Sequence, residues 1–468
     1  MKETASSPVW VAPRAAGPIF ASVRLPGSKS LSARELLLSA IADQDSEIYG
    51  LLYARDTDLM VKGLTGLGAT ITPWPPLVDQ PVQISPIPGI WRKPPADGIT
   101  PPAAEDSEQP VQIECGLAGT VMRFLPALAV ALGRSVRFTA DDSANARPLL
   151  PLLAALEELG ATWKSENPTQ GLFPFVIHPP KAQIPREVSV DASASSQFVS
   201  ALLLSAPLFG KNFTIRSKTA EVPSLPHLQM TLESLTLRGI DASGAKQTDG
   251  TWEWSVEPSP VLGQVLSIEP DLSNAGPFLA AVGIAGGRVS IPGWPTRTTQ
   301  AGDAWRSILP EFGLKVELKY GILSVQSERP LKPIRMDFSE MGELVPTVAA
   351  LAACADGTSV LSGLHHLRGH ETDRLEALST ELKNLGIHCE ITPDEGLLIE
   401  GISKESLALA ESSQQPMLMH AYGDHRMATF AALMGLYRPV QIDDIGATSK
   451  TMPDFPQMWT RFLGVTND

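Results

Sequence analysis

Cationic side chains occur close to polar segments that come just before long apolar runs of the sequence. Lys29 lies in "LPGSKS", Arg123 follows "LAGT", and Arg426 lies in "GDHRMA". A cation near the N-terminus of a helix opposes the helix dipole by about 0.3–1 kcal/mol, unless an anion lies between them. Free N–H groups and basic side chains together bind phosphate or carboxylate. The pattern therefore predicts helix N-termini that converge on one anion-binding cleft.

Some of the polar residues in these segments have a simpler explanation. Ser, Asn and Asp at the start of a helix accept hydrogen bonds from its first N–H groups, and we expect this capping role for Ser273, Asn274 and Asp424. Helix capping does not explain the cations Lys29, Arg123 and Arg426. A nucleotide-binding P-loop does not fit "LPGSKS" either, because that motif has Gly immediately before Lys, and Ser28 intervenes here.

The elements that must position these cations follow an internal repeat. Six times, an amphipathic stretch ends in Gly and is followed by a short strand-like stretch. We expect each of these glycines to end a helix in the left-handed conformation. The six glycines are Gly68, Gly160, Gly239, Gly313, Gly386 and Gly464.

Between these stretches lie six others that are almost entirely apolar, such as "SSQFVSALLLSAPLFG". A helix that is apolar around most of its circumference is a buried one. Six near-equal repeats divided between two domains give three per domain, with helices enclosed by sheet. Residues 73–110 interrupt this pattern with many prolines, which predict an extended surface insertion without helix or central strand.

Composition excludes several classes of protein. The 468 residues are 43% apolar and 19% charged, with a formal net charge of −14. That length predicts two or more domains, and the acidic balance argues against general nucleic-acid binding. The sequence has no apolar run of membrane-spanning length and no secretory signal at its start. Its three separated cysteines fit neither a disulfide framework nor the usual zinc spacing, so we expect a cytoplasmic protein with Cys115 as a core thiol.

Eight segments, in order, resemble one family, 5-enolpyruvylshikimate-3-phosphate (EPSP) synthase. They cover nearly the whole chain apart from the proline-rich segment and the first dozen residues. The segments "RGHETDRL" and "LAGTVMRF" resemble the sequences of the actinobacterial branch of the family. The segments are "LPGSKSLSARELLL", "LAGTVMRF", "ANARPLLPLLAALEELGA", "VDASASSQFVSALLL", "EPDLSNAGPFLAA", "RGHETDRL", "YGDHRMA" and "TSKTMPDFP".

This resemblance implies an α/β fold of two inside-out α/β barrel domains, each with three βαβαββ repeats. Residues 28–267 would form the first domain and residues 1–27 with 268–468 the second, with the active site in the cleft between them. The implied reaction transfers the enolpyruvyl (1-carboxyvinyl) group of phosphoenolpyruvate to the 5-hydroxyl of shikimate 3-phosphate in the shikimate pathway. It needs no metal or cofactor, and we expect a monomer without nucleic-acid or membrane partners.

The resemblance also assigns roles to individual residues. Glu371 would protonate the methylene of phosphoenolpyruvate, Glu343 would take the hydroxyl proton, and Lys29 would contact both substrates. Positions that match phosphoenolpyruvate binding are Lys29, Gly119, Arg147, Gln197, Arg374, Arg426 and Lys450. Positions that match shikimate 3-phosphate binding are Lys29, Ser30, Arg34, Ser195, Ser196, Gln197, Ser224, Glu343, His366 and His370. Arg123 belongs to neither set: it either binds an anion, as its position near a helix start indicates, or is a structural partner of an acidic residue.

Several residues depart from the family pattern. Glu343 falls where most members have Asp, His370 where many have Lys, and His366 where Asn is common. Leu117 and Phe124 replace a usual Asn and a usual Pro next to the "AGT" segment. These departures affect the expected contacts with the ring and phosphate of shikimate 3-phosphate and the expected response to inhibitors.

Two alternatives to this function stay open in the sequence. The sister enolpyruvyl transferase that acts on UDP-N-acetylglucosamine has Lys-Asn where this chain has Lys29-Ser30, and a reactive Cys where this chain has "DSANARP". A degenerate member that only binds ligands would not need Lys29, Glu371 and the clamp of cations. Because Gly119 is retained, we also expect inhibition by glyphosate, which occupies the phosphoenolpyruvate site in this family.

Overall fold

Six short β-sheets, each packed with helices, form the described part of the chain. In this computed structural model the described residues are 9–91, 109–327, 330–369, 371–402 and 415–465. The chain divides into two units, each with its own hydrophobic core. The first unit is Gly27–Ile268, and the second combines Met1–Pro26 with Glu269–Asp468.

The strands are short, and most have three to five residues. They are β1 Trp10–Val11, β2 Ile19–Ser22, β3 Ser46–Tyr49, β4 Thr70–Thr72, β5 Val82–Ser85, β6 Val111–Glu114, β7 Val136–Thr139, β8 Thr162–Ser165, β9 Phe175–His178, β10 Glu187–Val190, β11 Phe213–Ser217, β12 Ala242–Lys246, β13 Trp252–Val256, β14 Val265–Ser267, β15 Gly287–Pro292, β16 Lys315–Lys319, β17 Ile322–Ser327, β18 Arg335–Asp337, β19 Thr358–Ser362, β20 His388–Ile391, β21 Leu397–Glu400, β22 Met417–Met419 and β23 Val440–Ile442.

The described α-helices alternate with these strands. They are α1 Lys29–Ala40, α2 Arg55–Gly66, α3 Gly119–Ala131, α4 Leu150–Glu158, α5 Gln197–Ser205, α6 Leu225–Leu237, α7 Gly276–Ala285, α8 Trp305–Glu311, α9 Val345–Ala353, α10 Arg374–Asn384, α11 His425–Met434 and α12 Phe455–Phe462. Among these helices, none combines the length and apolar character needed to cross a bilayer.

Three of the sheets are each built by one continuous βαβαββ repeat, and the other three include a strand from elsewhere in the chain. In the repeat from β6 to β9, β6 and β7 run parallel, and β9 lies antiparallel between β7 and β8. Five sheets have this four-stranded order, and the sixth has the three described strands β1, β23 and β22. The prediction of an α/β fold with six repeats, three in each unit, is confirmed. Within the described residues the sheets stay separate, and their hydrogen bonds close no single barrel.

Three sheets are completed by a strand from a distant part of the chain. In the first unit, β14 pairs in parallel with β3, which is more than 200 residues earlier. In the second unit, β2 pairs in parallel with β15, and β1 pairs antiparallel with β23. The two chain crossings at Pro26–Gly27 and Ile268–Glu269 therefore separate two units that are each closed by remote pairings.

The apolar helices are the buried ones, as their sequences predict. All residues of α3 are buried, as are those of α9 and nearly all of α7. The helices that precede the six repeated glycines are amphipathic and bury one face. All six glycines have positive φ, between 69° and 109°, which confirms the predicted left-handed helix ends.

The proline-rich segment contains a central strand, which corrects the prediction for residues 73–110. β5 (Val82–Ser85) lies between β3 and β4, and the side chains of Val82 and Ile84 are fully buried. Its alternation of apolar and polar residues fits a half-buried strand. The prolines flank the strand rather than interrupt it, so the high proline content of the segment did not exclude a central strand. Residues 92–108 of the same segment lie outside the described residues.

A buried ion pair fixes α1 within the first unit. Arg238, at the end of α6, has no exposed side-chain area and donates from Nε and Nη2 to Glu35 Oε2 at 2.9 and 2.8 Å. Its Nη2 also donates to Ser39 Oγ at 2.8 Å. Breaking such a pair costs about 3–5 kcal/mol, because an uncompensated charge stays buried. The position of α1 therefore depends on a residue some 200 positions later.

Candidate functional site

Lys29 is the first residue of α1 and lies beside a buried carboxylate. Ser28 caps the helix, since its Oγ accepts from the N–H of Leu31 at 3.4 Å. The Lys29 Nζ lies 3.2 Å from Asp56 Oδ2 of α2. This ion pair holds the ammonium near the start of α1, next to the half-buried Ser30.

The guanidinium of Arg34 is held by groups of α1, α5 and α6. Its Nε donates to Thr231 Oγ1 at 2.9 Å, and its Nη2 donates to the carbonyl of His227 at 2.9 Å. Its Nη1 donates to the carbonyl of Ser30 at 2.9 Å. Burial lowers the pKa of Arg34 to about 10. In this arrangement Arg34 fixes Ser30, while its predicted contact with shikimate 3-phosphate stays a prediction.

Gly119 and Arg147 lie in contact at the start of α3. Arg147 Nη1 donates to the carbonyl of Leu117 at 2.7 Å. A Cβ at position 119 would lie 2.8 Å from Arg147 Nη2, closer than real Cβ contacts allow. The missing side chain of Gly119 therefore makes room for a cation at the N-terminus of a helix, which is the combination expected for an anion site.

Arg123, also on α3, has a neutral partner. Its Nη1 donates to Gln197 Oε1 at 2.6 Å, and its Nη2 donates to the carbonyl of Pro148 at 3.3 Å. Its guanidinium carbon lies 5.4 Å from the ring centroid of Phe198. Among the described residues, no carboxylate forms an ion pair with it, so the predicted acidic partner is not found there.

Three of the four serines assigned to shikimate 3-phosphate lie at the starts of α5 and α6. Ser196 directly precedes α5, and Ser195 Oγ accepts from the N–H of Gln197 at 3.3 Å. Ser224 precedes α6 and has a φ of 55°, a left-handed conformation that few non-glycine residues adopt. The helix starts of the first unit thus carry hydroxyls as well as cations.

In the second unit, Glu371 lies between a lysine and a histidine. Its Oε2 is 3.0 Å from Lys450 Nζ and 3.2 Å from His425 Nδ1. Lys450 is further held by the carbonyl of Gly423 at 2.7 Å. Burial lowers the pKa of His425, despite the nearby Glu371 carboxylate. A neutral imidazole and an ammonium on the same carboxylate oxygen form a path along which a proton can move.

Arg374 and Asp424 form a buried bidentate pair. Arg374 Nε and Nη2 donate to the two Asp424 oxygens at 2.8 and 3.2 Å. Asp424 also caps α11, since its Oδ1 accepts from the N–H of Arg426 at 2.8 Å. Burial acts to lower the pKa of Arg374, but Asp424 raises it overall. The capping role predicted for Asp424 is confirmed, and its pairing with Arg374 is an addition.

Glu343 begins a third group of residues in the second unit. Ser273 Oγ donates to Glu343 Oε1 at 3.5 Å, so Ser273 contacts this carboxylate rather than capping a helix. The ring of His366 packs against Gly342, where a Cβ would lie 2.1 Å from His366 Nε2. Burial lowers the pKa of His366, as does His365, against the opposing effect of Glu343. His370 lies outside the described residues.

One group of side chains has donor atoms close enough together for a metal ion. Its members are Glu371, Asp424 and His425, whose donor atoms lie within 4.8 Å of one another. Both carboxylates already bind a cation, from Lys450 and from Arg374. A metal ion would have to compete with these side chains for the same oxygens. The expectation that no metal is needed stays a prediction.

Some functional contacts were missed in the sequence. Asp56 was not assigned, although it lies in "RDTDL" at the start of an amphipathic helix, where an acidic side chain is common. His425 was read only as part of a helix opening, although it lies between Asp424 and Arg426 in the sequence. Partners that are 27 and 54 residues away from Lys29 and His425 leave no local signal.

Comparisons with known proteins agree with this arrangement. A family model described as EPSP synthase (3-phosphoshikimate 1-carboxyvinyltransferase) matches residues 13–459. A relative from Kocuria rhizophila, an actinobacterium, is named 3-phosphoshikimate 1-carboxyvinyltransferase. It is 44% identical over an alignment of 466 residues, and the alignment covers 98% of each chain.

Two solved structures are similar in fold. Both are EPSP synthases from Acinetobacter baumannii, at 23% identity, with TM-scores of 0.73 and 0.71. They cover 97% and 96% of this chain, and 98% and 97% of their own chains. The predicted resemblance, including its actinobacterial character, is confirmed. The chain belongs to the EPSP synthase (3-phosphoshikimate 1-carboxyvinyltransferase) family of transferases.

Proposed function

We propose that this chain transfers the 1-carboxyvinyl group of phosphoenolpyruvate to the 5-hydroxyl of shikimate 3-phosphate and releases inorganic phosphate. Family membership over nearly the whole chain supports this reaction. The observation that carries it is the buried contact of Glu371 with Lys450 and His425. It joins a carboxyl group to two groups that exchange protons, within a cluster that also contains arginines.

The chemistry is an addition followed by an elimination. The 5-hydroxyl oxygen bonds to C2 of phosphoenolpyruvate, while C3 gains a proton and the hydroxyl loses one. The tetrahedral ketal then loses phosphate by cleavage of its C2–O bond, and C3 gives back a proton. General acid–base groups contribute about 10²–10⁴-fold to such steps.

Two carboxylates divide the proton transfers in this proposal. Glu371 protonates C3, and Lys450 and His425 hold its carboxyl group in place. Glu343 accepts the proton of the 5-hydroxyl. Its side chain is half-buried beside Ser273, and it interacts electrostatically with His366. Lys29 contacts both substrates and assists the departing phosphate.

The cations bind the two anionic substrates. Arg147, Arg374, Arg426 and Lys450 match the phosphoenolpyruvate positions of the family. A guanidinium binds carboxylate or phosphate with two parallel hydrogen bonds, so a Lys at these positions is not equivalent. Preorganised cations also stabilise the negative charge that develops as phosphate leaves.

Phosphate release tests this function. The purified chain mixed with phosphoenolpyruvate and shikimate 3-phosphate should release phosphate, whereas UDP-N-acetylglucosamine in place of shikimate 3-phosphate should give none. Release with the nucleotide sugar would favour the sister reaction, and no release with either would favour a binding protein. Deuterium exchange from solvent into the methylene of phosphoenolpyruvate, compared between Glu343 and Glu371 variants, assigns the two protons.

Three finer statements belong to the same proposal. The chain acts as a monomer in the cytoplasm, needs no metal or cofactor, and is inhibited by glyphosate at the phosphoenolpyruvate positions. Retention of Gly119 beside Arg147 supports the inhibition. Light scattering on the eluting protein tests the monomer, activity after treatment with a chelator tests the metal, and millimolar glyphosate should stop turnover.

A further inference from the structure

Arg123 is a buried cation that the proposed reaction does not use. It is only 4% exposed, and its guanidinium contacts the carbonyl of Pro148 and the ring of Phe198. Burial lowers the pKa of Arg123, and the neighbouring charge of Arg147 lowers it further. A cation kept in such a position without a carboxylate partner among the described residues has a cost. That cost suggests a role beyond packing.

The contact of Arg123 with Gln197 fixes the orientation of an amide. A guanidinium has only donors and no acceptor. The side chain of Gln197 can therefore meet Arg123 only through its oxygen, and the distance from Arg123 Nη1 to Gln197 Oε1 is 2.6 Å. The amide nitrogen, with its two N–H donors, must then point away from Arg123. This conclusion rests on the chemistry of the two groups, whichever way the amide is drawn.

The site around this amide favours a negatively charged ligand. Gln197 is the first residue of α5 and is half-buried. Arg147 and the N-terminus of α3 at Gly119 belong to the same neighbourhood, because Arg123 lies one turn after Gly119 on α3 and donates to the carbonyl of Pro148, which directly follows Arg147. An oxygen of a carboxylate or phosphate accepts hydrogen bonds and never donates them when it is fully ionised.

We propose that Arg123 is a positioning residue that keeps the amide nitrogen of Gln197 turned toward an anionic substrate. Arg123 does not touch the substrate and acts through Gln197. The inference rests on the proposed function, since it gives one member of the predicted phosphoenolpyruvate set a fixed donor role. With the opposite orientation, the amide oxygen would face the anion and repel it.

A double-mutant cycle tests this inference. Arg123→Gln places an amide that both donates and accepts beside Gln197, so the orientation is no longer selected. We expect the Kd of phosphoenolpyruvate, measured with shikimate 3-phosphate present, to rise about ten- to hundredfold, as for the loss of a hydrogen bond to a charged group. Gln197→Leu alone should cost a similar factor. In the Gln197→Leu background, Arg123→Gln should add less than about threefold.

Two further variants separate orientation from charge and from folding. Arg123→Lys has no acceptor and keeps the charge, so it should restore most of the affinity. Gln197→Glu gives Arg123 its acceptor but presents a second oxygen to the anion, so it should bind worse than Gln197→Leu. Equal affinities of Arg123→Gln and wild type, or fully additive losses in the cycle, would overturn the inference.

The mutant cycle and the test of the proposed function can fail independently of each other. Phosphate release by the wild-type chain decides whether the reaction occurs. The cycle can be repeated with inorganic phosphate as the probe, which needs no turnover. Thermal unfolding of each variant confirms that the compared proteins are folded. If Arg123→Gln unfolds early, Arg123→Met takes its place in the cycle, because it also removes the group that selects the orientation of the amide.

Discussion

Two arginines in this chain are buried to almost the same extent but are neutralised in different ways. Arg374 in the second unit is 3% exposed and pairs with both oxygens of Asp424. Arg123 in the first unit is 4% exposed and meets an amide oxygen, a carbonyl and a ring face. The pKa of Arg374 is raised and that of Arg123 is lowered. Burial acts to lower the pKa of both arginines, but the Asp424 carboxylate more than offsets this for Arg374, whereas the charge of Arg147 lowers the pKa of Arg123 further.

This difference extends to the residues around them. The second unit contains Glu343 and Glu371 together with Lys450 and His425, and so has the groups that can transfer protons. Around Arg123 and Arg147 the described residues offer donors but no ion-paired carboxylate. We infer that the second unit does most of the proton chemistry, apart from the proposed role of Lys29, while both units contribute cations that bind anions.

The largest expected effect is on turnover, from Glu371→Gln. The amide cannot donate a proton to carbon, so kcat should fall about 10²–10⁴-fold while both substrates still bind. Rapid-quench or steady-state phosphate release measures the change. Glu376→Gln is the matched control, because Glu376 lies on the exposed face of the nearby α10, where its carboxylate is 3.5 Å from Arg368. Unchanged kcat in Glu371→Gln would remove this residue from the proton transfer.

The second effect is on stability and compares the two buried arginines directly. Asp424→Asn leaves the charge of Arg374 without its partner, so unfolding should become easier by about 3–5 kcal/mol. Arg123→Met removes the cation itself and leaves only a neutral amide oxygen, which should cost about 1–3 kcal/mol. Urea denaturation measures both.

Glu187→Gln is the control for an exposed pair, since Glu187 meets Arg216 at 3.4 Å on the surface. Such pairs contribute about 0–1 kcal/mol. If Arg123→Met proved as destabilising as Asp424→Asn, the contrast between a charged and a dipolar partner would be wrong.

The third effect is on binding, from Gly119→Ala. The new Cβ would lie 2.8 Å from Arg147 Nη2, so the guanidinium must move. We expect the KM of phosphoenolpyruvate to rise about tenfold, as for a weakened charged hydrogen bond, with kcat nearly unchanged. Gly66→Ala at the end of α2 is the control, because its Cβ would have no neighbour closer than 3.7 Å. A fall in kcat alone would contradict a binding role for this helix start.

The smallest effect is the pH dependence of stability. Burial lowers the pKa values of His425 and His366 below 6.5 in the folded chain. The unfolded chain then binds more protons, so stability is fully present above pH 6.5 and is lost as pH falls through the folded values. The urea midpoint should therefore be lower at pH 5.5 than at pH 7.5. His425→Asn should weaken this dependence, whereas His388→Asn, an exposed control, should leave it unchanged.

Much of the fold followed from the sequence because its signals are local. The six repeated glycines each end a helix, and the apolar helices are buried, since periodicity and helix ends are set within a few residues. The strand Val82–Ser85 was missed because prolines on both sides hid a four-residue alternation. A short central strand is stabilised by its neighbours β3 and β4, and these lie outside any local window.

The candidate site also divides into features with a local sequence signal and contacts that depend on the folded chain. The motifs identified Lys29, Glu371 and Arg374 as candidates, but not what holds them. Asp56, His425 and Asp424 became visible as partners only in the folded chain. An acidic partner was one of two alternatives for Arg123, and the side-chain partner among the described residues is Gln197, 74 residues later. Long-range packing decides which side chains come into contact. The residue type alone decides which side chains can transfer protons or bind anions.

The remote strand pairings have a consequence for synthesis on the ribosome. The first unit can complete its sheets once Val265–Ser267 has emerged and joined β3. The second unit must keep Ile19–Ser22 unpaired until Gly287–Pro292 appears, and Trp10–Val11 unpaired until Val440–Ile442 appears. Nascent chains should therefore pass through a state in which one half is native while the earliest segment still exposes an open strand edge, the point at which chaperone binding is most needed.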